Sequence, residues 1–219
     1  MRKRILLCAM GLLLFSVCSC APKEGPADFA AQLAEDFSEN SEQAIAAYQG
    51  KSCRIAGSVL RVDREGYVQM DCGRDVSAWV YLPQEELEKL ELCDVLRIEG
   101  TVKQIAERNV TPKAPRIEID PVKGVETEFE VTGQIGKIYH DWYRGGQDYA
   151  AFFSDEVLPG CQVNIYLPED HGFQEGDRIT AVGALNALKD GRVTGYVPGG
   201  ERKELLFMDE PTSLQKATS

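Results

Sequence analysis

Few side chains of this sequence have both the type and the spacing that chemistry asks for. His140 and His171 stand far apart in the second half, each read as lying in its own loop, with no cysteine at a metal-ligand spacing from either. Cys53, Cys72, Cys93 and Cys161 include no Cys-x-x-Cys pair, so neither a zinc site nor a thioredoxin-like redox motif is signalled. A Gly-x-Ser-x-Gly elbow, a phosphate-cradling loop and a His-Glu-x-x-His helix are all missing. Glu85, Glu86, Glu88 and Glu91 crowd one short segment, where a solvated helix face accounts for them. Neither catalytic residues nor metal ligands nor a cofactor are expected. A hydrolase reading would need paired carboxylates near His140.

The aromatic residues are better placed for binding. Ala78, Val80 and Leu82 alternate with Trp79 and Tyr81. If the first set faces a core, the second points outward. Tyr166 repeats Tyr81 later in the chain, with Asn164 where Trp79 stood. Trp142 and Tyr143 form a second cluster with Tyr139 and His140. Exposed rings of this kind stack on sugars, bases or peptide side chains. The bland alternative is that they pack on neighbouring elements.

The elements that position these rings come from an internal repeat. Cys53–Val62 and Phe129–Ile138 share their apolar positions and a glycine at an offset of 76. Ala78–Pro83 matches Val163–Pro168 at an offset of 85, and Asp94–Gly100 matches Asp177–Gly183 at 83. Three blocks in one order mean two copies of one unit. Each block alternates or is β-branched and reads as a strand. Gln84–Leu92 reads as a short helix between the third and fourth strands, with Leu87, Leu90 and Leu92 inward. Fifth strands are expected at Pro115–Val122 and Lys203–Met208. The class is all-β with minor α. A Cys53–Cys72 bridge stays open beside buried thiols, since the first hairpin carries Cys72 back along strand one.

Three strands, a helix and two strands is the plan of a small five-stranded barrel, the OB-fold. Ahead of it, Asn40, Ala44, Ala47, Tyr48, Gly50, Lys51, Gly57 and Val59 stand as in the opening of the tRNA_anti-like family of OB-fold proteins. The stretch from about residue 28 to 124 resembles that family. The resemblance implies a helical lead-in and an exported lipoprotein role. RNA binding does not follow from it. Asn40 itself reads as the cap of the second helical piece, with Gln43 three residues on as its capping-box partner.

At the N-terminus, Arg2, Lys3 and Arg4 precede an apolar run from Ile5 to Val17. A spanning helix needs roughly 20 residues, so this run suits a secretory signal. Val17-Cys18-Ser19-Cys20 resembles the lipobox of bacterial lipoproteins, which implies diacylglycerol on Cys20. Stable anchoring takes about two acyl chains, the number that group carries. The expected layout is therefore a signal peptide at 1–19, a tether at 20–27 and the helical lead-in at 28–50. Two OB-fold domains follow, at 51–125 and 126–211, and then a flexible tail at 212–219.

The 219 residues are 43% hydrophobic and 27% charged, an ordinary globular balance. Formal net charge is −11, and loss of the three cations in residues 1–19 leaves −14. Nonspecific nucleic-acid affinity comes from neutralising phosphates with Lys and Arg, so this acidity argues against a nucleic-acid partner. The expected partners are a bilayer, through acylated Cys20, and an envelope protein or small ligand. The expected role is a lipid-anchored, non-catalytic binding or adaptor module. Single-strand binding, by fold analogy, is the alternative.

Overall fold

A computed structural model describes residues 26–63, 66–108, 114–121, 124–141, 146–154, 157–158, 161–187, 195–196, 202–203 and 205–217. Helix α1 (Pro26–Glu39) carries Phe29, Leu33 and Phe37 at four-residue spacing, and all three are buried. This single apolar stripe closes over the first core. Asn40 interrupts the helix in an extended conformation and its Oδ1 accepts from the Gln43 backbone N–H at 3.1 Å. That caps α2 (Ser41–Tyr48), as its sequence predicts. The Asn40 N–H itself bonds back to Asp36 O rather than to Gln43. Tyr48 ties the two helices together, donating to Asp36 Oδ2 at 2.6 Å.

The first unit follows. It comprises β1 (Ser52–Asp63), β2 (Tyr67–Asp71), β3 (Ser77–Tyr81), α3 (Gln84–Leu87), β4 (Val95–Arg108) and β5 (Ala114–Pro121). These strands close into a barrel in the order β1-β2-β3-β5-β4, with β3 and β5 parallel. That is the OB plan. Two long strands make closure possible. The first half of β1 pairs with β4 and its second half with β2, with a register shift between Val59 and Arg61. β4 does the same between β1 and β5, shifting between Val102 and Gln104. Such bulges bend a strand from one sheet into the next. Ile55, Val68, Val80, Ile98 and Ile119 fill the interior. Helix α3 is shorter than the leucine spacing predicts: Leu87 is buried, but Leu92 is 56% exposed, because the chain leaves the helix after Leu87 and turns into β4.

The second unit contains β6 (Glu128–Gln134), β7 (Lys137–Asp141), β8 (Gln147–Ser154), β9 (Cys161–Tyr166), β10 (Arg178–Ala184), β11 (Asn186–Ala187), β12 (Gly195–Tyr196), β13 (Arg202–Lys203), β14 (Leu205–Met208) and β15 (Ser213–Lys216). Here the described strands do not form one closed barrel. They lie in sheets ordered β15-β10-β6 and β11-β14-β9-β8-β7, with β12 and β13 as a separate pair. The neighbours nonetheless repeat those of the first unit, including a parallel pair, β9 with β14. The breaks fall at Ile135–Gly136 and Leu185, the repeat equivalents of the bulges at Val59 and Val102. What bends in the first unit is interrupted in the second.

The interruption is used. Leu185 O accepts from Val95 N–H at 2.9 Å, and Ala187 N–H donates to Cys93 O at 2.8 Å. Arg97 and Glu126 exchange backbone bonds of 2.9 and 3.0 Å. Ala56 and Val95, on strands of the first unit, are buried in the second core. The two units therefore share a seam of backbone bonds and apolar packing.

The segment expected as a frayed tail is ordered through β15, which pairs with β10. Without closure the edge of β10 would stand open, and the C-terminal residues cover it. All four described cysteines are thiols, with Cys53, Cys72 and Cys161 buried. Cys53 lies opposite Gly100, whereas Cys72 follows Asp71, whose partner is Ser58. The hairpin thus ends well short of Cys53, and no bridge joins the two. Burial pushes the Cys53 thiol up to about 12.

Candidate functional site

Register on the first barrel sets its outer face. With Ala78 and Val80 fully buried, Ser77, Trp79 and Tyr81 point the other way. Tyr67 lies opposite Tyr81, and Gln69 opposite Trp79. Arg116 and Glu118 follow on β5, opposite Ser77 and Trp79. The rings form a row. Tyr67 stacks on Trp79 at 4.9 Å and meets Tyr81 at 5.9 Å. The Arg116 guanidinium sits 4.4 Å from the Trp79 ring centroid, and Lys103 Nζ 5.5 Å from that of Tyr81.

Trp79 is half-buried within this row. Tyr67 and Arg116 both pack on its ring, so it anchors the row rather than offering an open face. Aromatic pairs of this geometry are worth about 0.5–1.5 kcal/mol beyond area burial, and a cation over a ring adds about 0.5–1 kcal/mol. Tyr81, 40% exposed, is the most open ring of the row, with Tyr67 and Trp79 half-buried. Three buried polar atoms on this face, Ser77 Oγ, Trp79 Nε1 and Arg116 Nε, have no hydrogen-bond partner among the described residues. The face is mixed in charge: Lys103 reaches Asp120 at 3.5 Å and Arg116 reaches Glu118 at 3.7 Å.

The second unit carries a ring ladder of its own. Tyr139 stacks on Tyr149 at 5.2 Å, and Tyr149 and Tyr166 lie 5.7 Å apart. Phe207 closes the cluster 6.4 Å from Tyr166. Tyr166 is only 4% exposed, so it supports this ladder and presents no ligand surface. Tyr139 is the exposed end. Asn164, standing where the first copy has Trp79, is buried and donates to Leu206 O at 3.1 Å. A stacking position has become a strand-to-strand tie. Trp142, Tyr143 and Cys20 lie outside the described residues.

The histidines are not isolated. His140 lies on β7 directly opposite Asp148 of β8, and its Nδ1 is 2.6 Å from Asp148 Oδ1. His171 Nε2 reaches Asp148 Oδ2 at 3.3 Å, while its Nδ1 accepts from the Phe173 N–H at 2.9 Å. His171 Nε2 therefore carries the proton and donates to the carboxylate. The bonds from His140 and then His171 hold the Asp148 carboxyl below its ordinary range. Sequence reasoning missed this cluster because it needs both the β7–β8 register and the path of the loop after β9. Among the described residues no group of three or more His, Cys, Asp or Glu side chains is arranged to hold a metal ion, and no helix is long and apolar enough to cross a membrane.

No family model and no curated protein matches the chain. Among solved structures it is similar to the single-stranded DNA binding protein from Thermus aquaticus. The identity is 13% and the TM-score 0.34, over 78% of this chain and 95% of that one. A deletion mutant of the same protein gives 12%, 0.33, 78% and 96%. At these scores the likeness leaves fold and ligand to be argued from this chain's own strand order and side chains.

Proposed function

We propose that the chain is a lipid-anchored, non-catalytic binding module that takes a segment of an envelope protein on the outer face of its first barrel. The observation that carries this reading is the ring row Tyr67–Trp79–Tyr81 with cations over its faces. Rings, amides and both signs of charge in one strip suit a peptide segment, which supplies apolar side chains, carbonyls and charges together. The acidity of the whole chain disfavours nucleic acid on the same strip. The second unit is on this reading an opened copy of the first OB-fold, because its strand neighbours repeat and its breaks fall at the first unit's bulges. Kinship with the tRNA_anti-like family is part of the same proposal.

The test uses the soluble fragment from Ala21 to Ser219, immobilised and exposed to solubilised bacterial envelope. Specific retention of a protein, lost in a Tyr81→Ala, Lys103→Ala variant that keeps the parent's circular dichroism, is the expected result. Equal retention by both, or displacement of the partner by single-stranded oligonucleotide at physiological salt, overturns it. Anchoring is tested separately. Cys20→Ser should abolish palmitate labelling and release the protein from membranes, and continued labelling would refute the lipobox reading.

A further inference from the structure

A cavity of about 370 Å³ opens at the seam between the two units. Small-molecule sites fall in roughly the 300–1,000 Å³ range and favour such seams. Its apolar side is built by Leu90 from the first unit, Val125 from the connection and Leu185 from the break in the second. Its polar side carries Glu86, Lys89 and Asp94. Two carboxylates against one ammonium leave the lining one charge negative.

The polar groups are underused. Glu86 Oε2 is buried and has no hydrogen-bond partner among the described residues. Lys89 stands three residues on, yet no carboxylate of the described residues is ion-paired with it. A buried carboxylate oxygen without a donor is costly. An N–H seated in the cavity would relieve that cost once the carboxylate turns Oε2 toward it, and a charged donor would do so most strongly. Asp94 is already partly engaged, its Oδ2 accepting from the Glu91 N–H at 2.7 Å.

We infer that this cavity is a binding site for a small aliphatic primary amine, with its ammonium on Glu86 and its hydrocarbon body against Leu90, Val125 and Leu185. Lys89 adds a seat for a carboxylate, so an amino acid with an aliphatic side chain satisfies every wall. Occupancy would bridge both units and stabilise the seam.

Calorimetric titration of the mature chain with isoamylamine, L-leucine and isovalerate separates the requirements, since the three share a hydrocarbon body and differ in charge. Saturable binding of isoamylamine and leucine at millimolar concentration or below, with none for isovalerate, is expected. Glu86→Gln should weaken both by at least about tenfold, while Lys89→Met should weaken leucine alone. Absence of binding by the two amines would overturn the inference. So would isovalerate binding as well as isoamylamine, or unchanged affinity in Glu86→Gln with its melting temperature intact.

Discussion

Gly57 passes so close to Asp71 that a Cβ at Gly57 would stand 2.6 Å from the Asp71 carbonyl oxygen. Gly133, its equivalent in the repeat, meets strand two of its own unit in the same way, for a Cβ there would overlap the Phe152 ring. The glycines of strand four behave likewise. A Cβ on Gly100 would lie 2.5 Å from Ile119 Cγ2, and one on Gly183 3.0 Å from Met208 Sδ. At Gly57 and Gly100 the neighbouring backbone leaves no room for a side chain, whereas at Gly133 and Gly183 the Phe152 and Met208 side chains fill the space.

Gly57→Ala should therefore cost about 1–3 kcal/mol, because a backbone oxygen and not a flexible side-chain end must move. Gly136→Ala is the control. Its Cβ would meet only Ala151 O at 3.6 Å, an ordinary contact, so the change should stay within about 0.5 kcal/mol. Urea unfolding of both variants checks the contrast.

Leu185 lies at the broken strand, fully packed in the second core, with its carbonyl bonded to Val95 of the first unit. Leu185→Ala should cost about 2–5 kcal/mol. Because the seam is shared, calorimetry should show the transition of the first unit lowered along with that of the second. An unchanged first-unit transition would mean that the units unfold independently.

Asp148 binds protons more weakly in the folded chain than in the unfolded one. Its contribution is present in full above the unfolded carboxyl value of about 3.9 and is lost as pH falls through the lower folded value. Asp148→Asn should thus be less stable than the parent at pH 7, and the two should converge in acid. Unfolding curves at neutral pH and near pH 2–3 read the difference directly. A gap that persists in acid would point to packing rather than charge.

Cys53 is buried, with its thiol raised to about 12. The thiolate is the reactive form, so iodoacetamide at pH 8 should label the less buried Cys93 well before Cys53. Mass spectrometry of the time course checks the order. Simultaneous labelling of the two would indicate opening of the first barrel.

Much of the fold was legible in the residues alone. Alternation at Ala78–Leu82 placed Trp79 and Tyr81 on the outer face, the Asn40 cap marked where α2 begins, and three repeated blocks announced two related units. These are local signals, set by periodicity, capping chemistry and strand propensity within a few residues. The tertiary structure decided what depends on partners distant in sequence. It set the sandwich of Trp79 between Tyr67 and Arg116, which needs the parallel pairing of β3 with β5. It brought His140 to Asp148 through the hairpin register and His171 to it from the loop after β9. It also turned equivalent strands into bulges in one unit and breaks in the other. Leu185 O and Ala187 N, set free by a break, find their partners at Val95 and Cys93 across the seam. A buried backbone group must be paired somewhere, and for this broken strand the nearest available partners lay on the neighbouring unit.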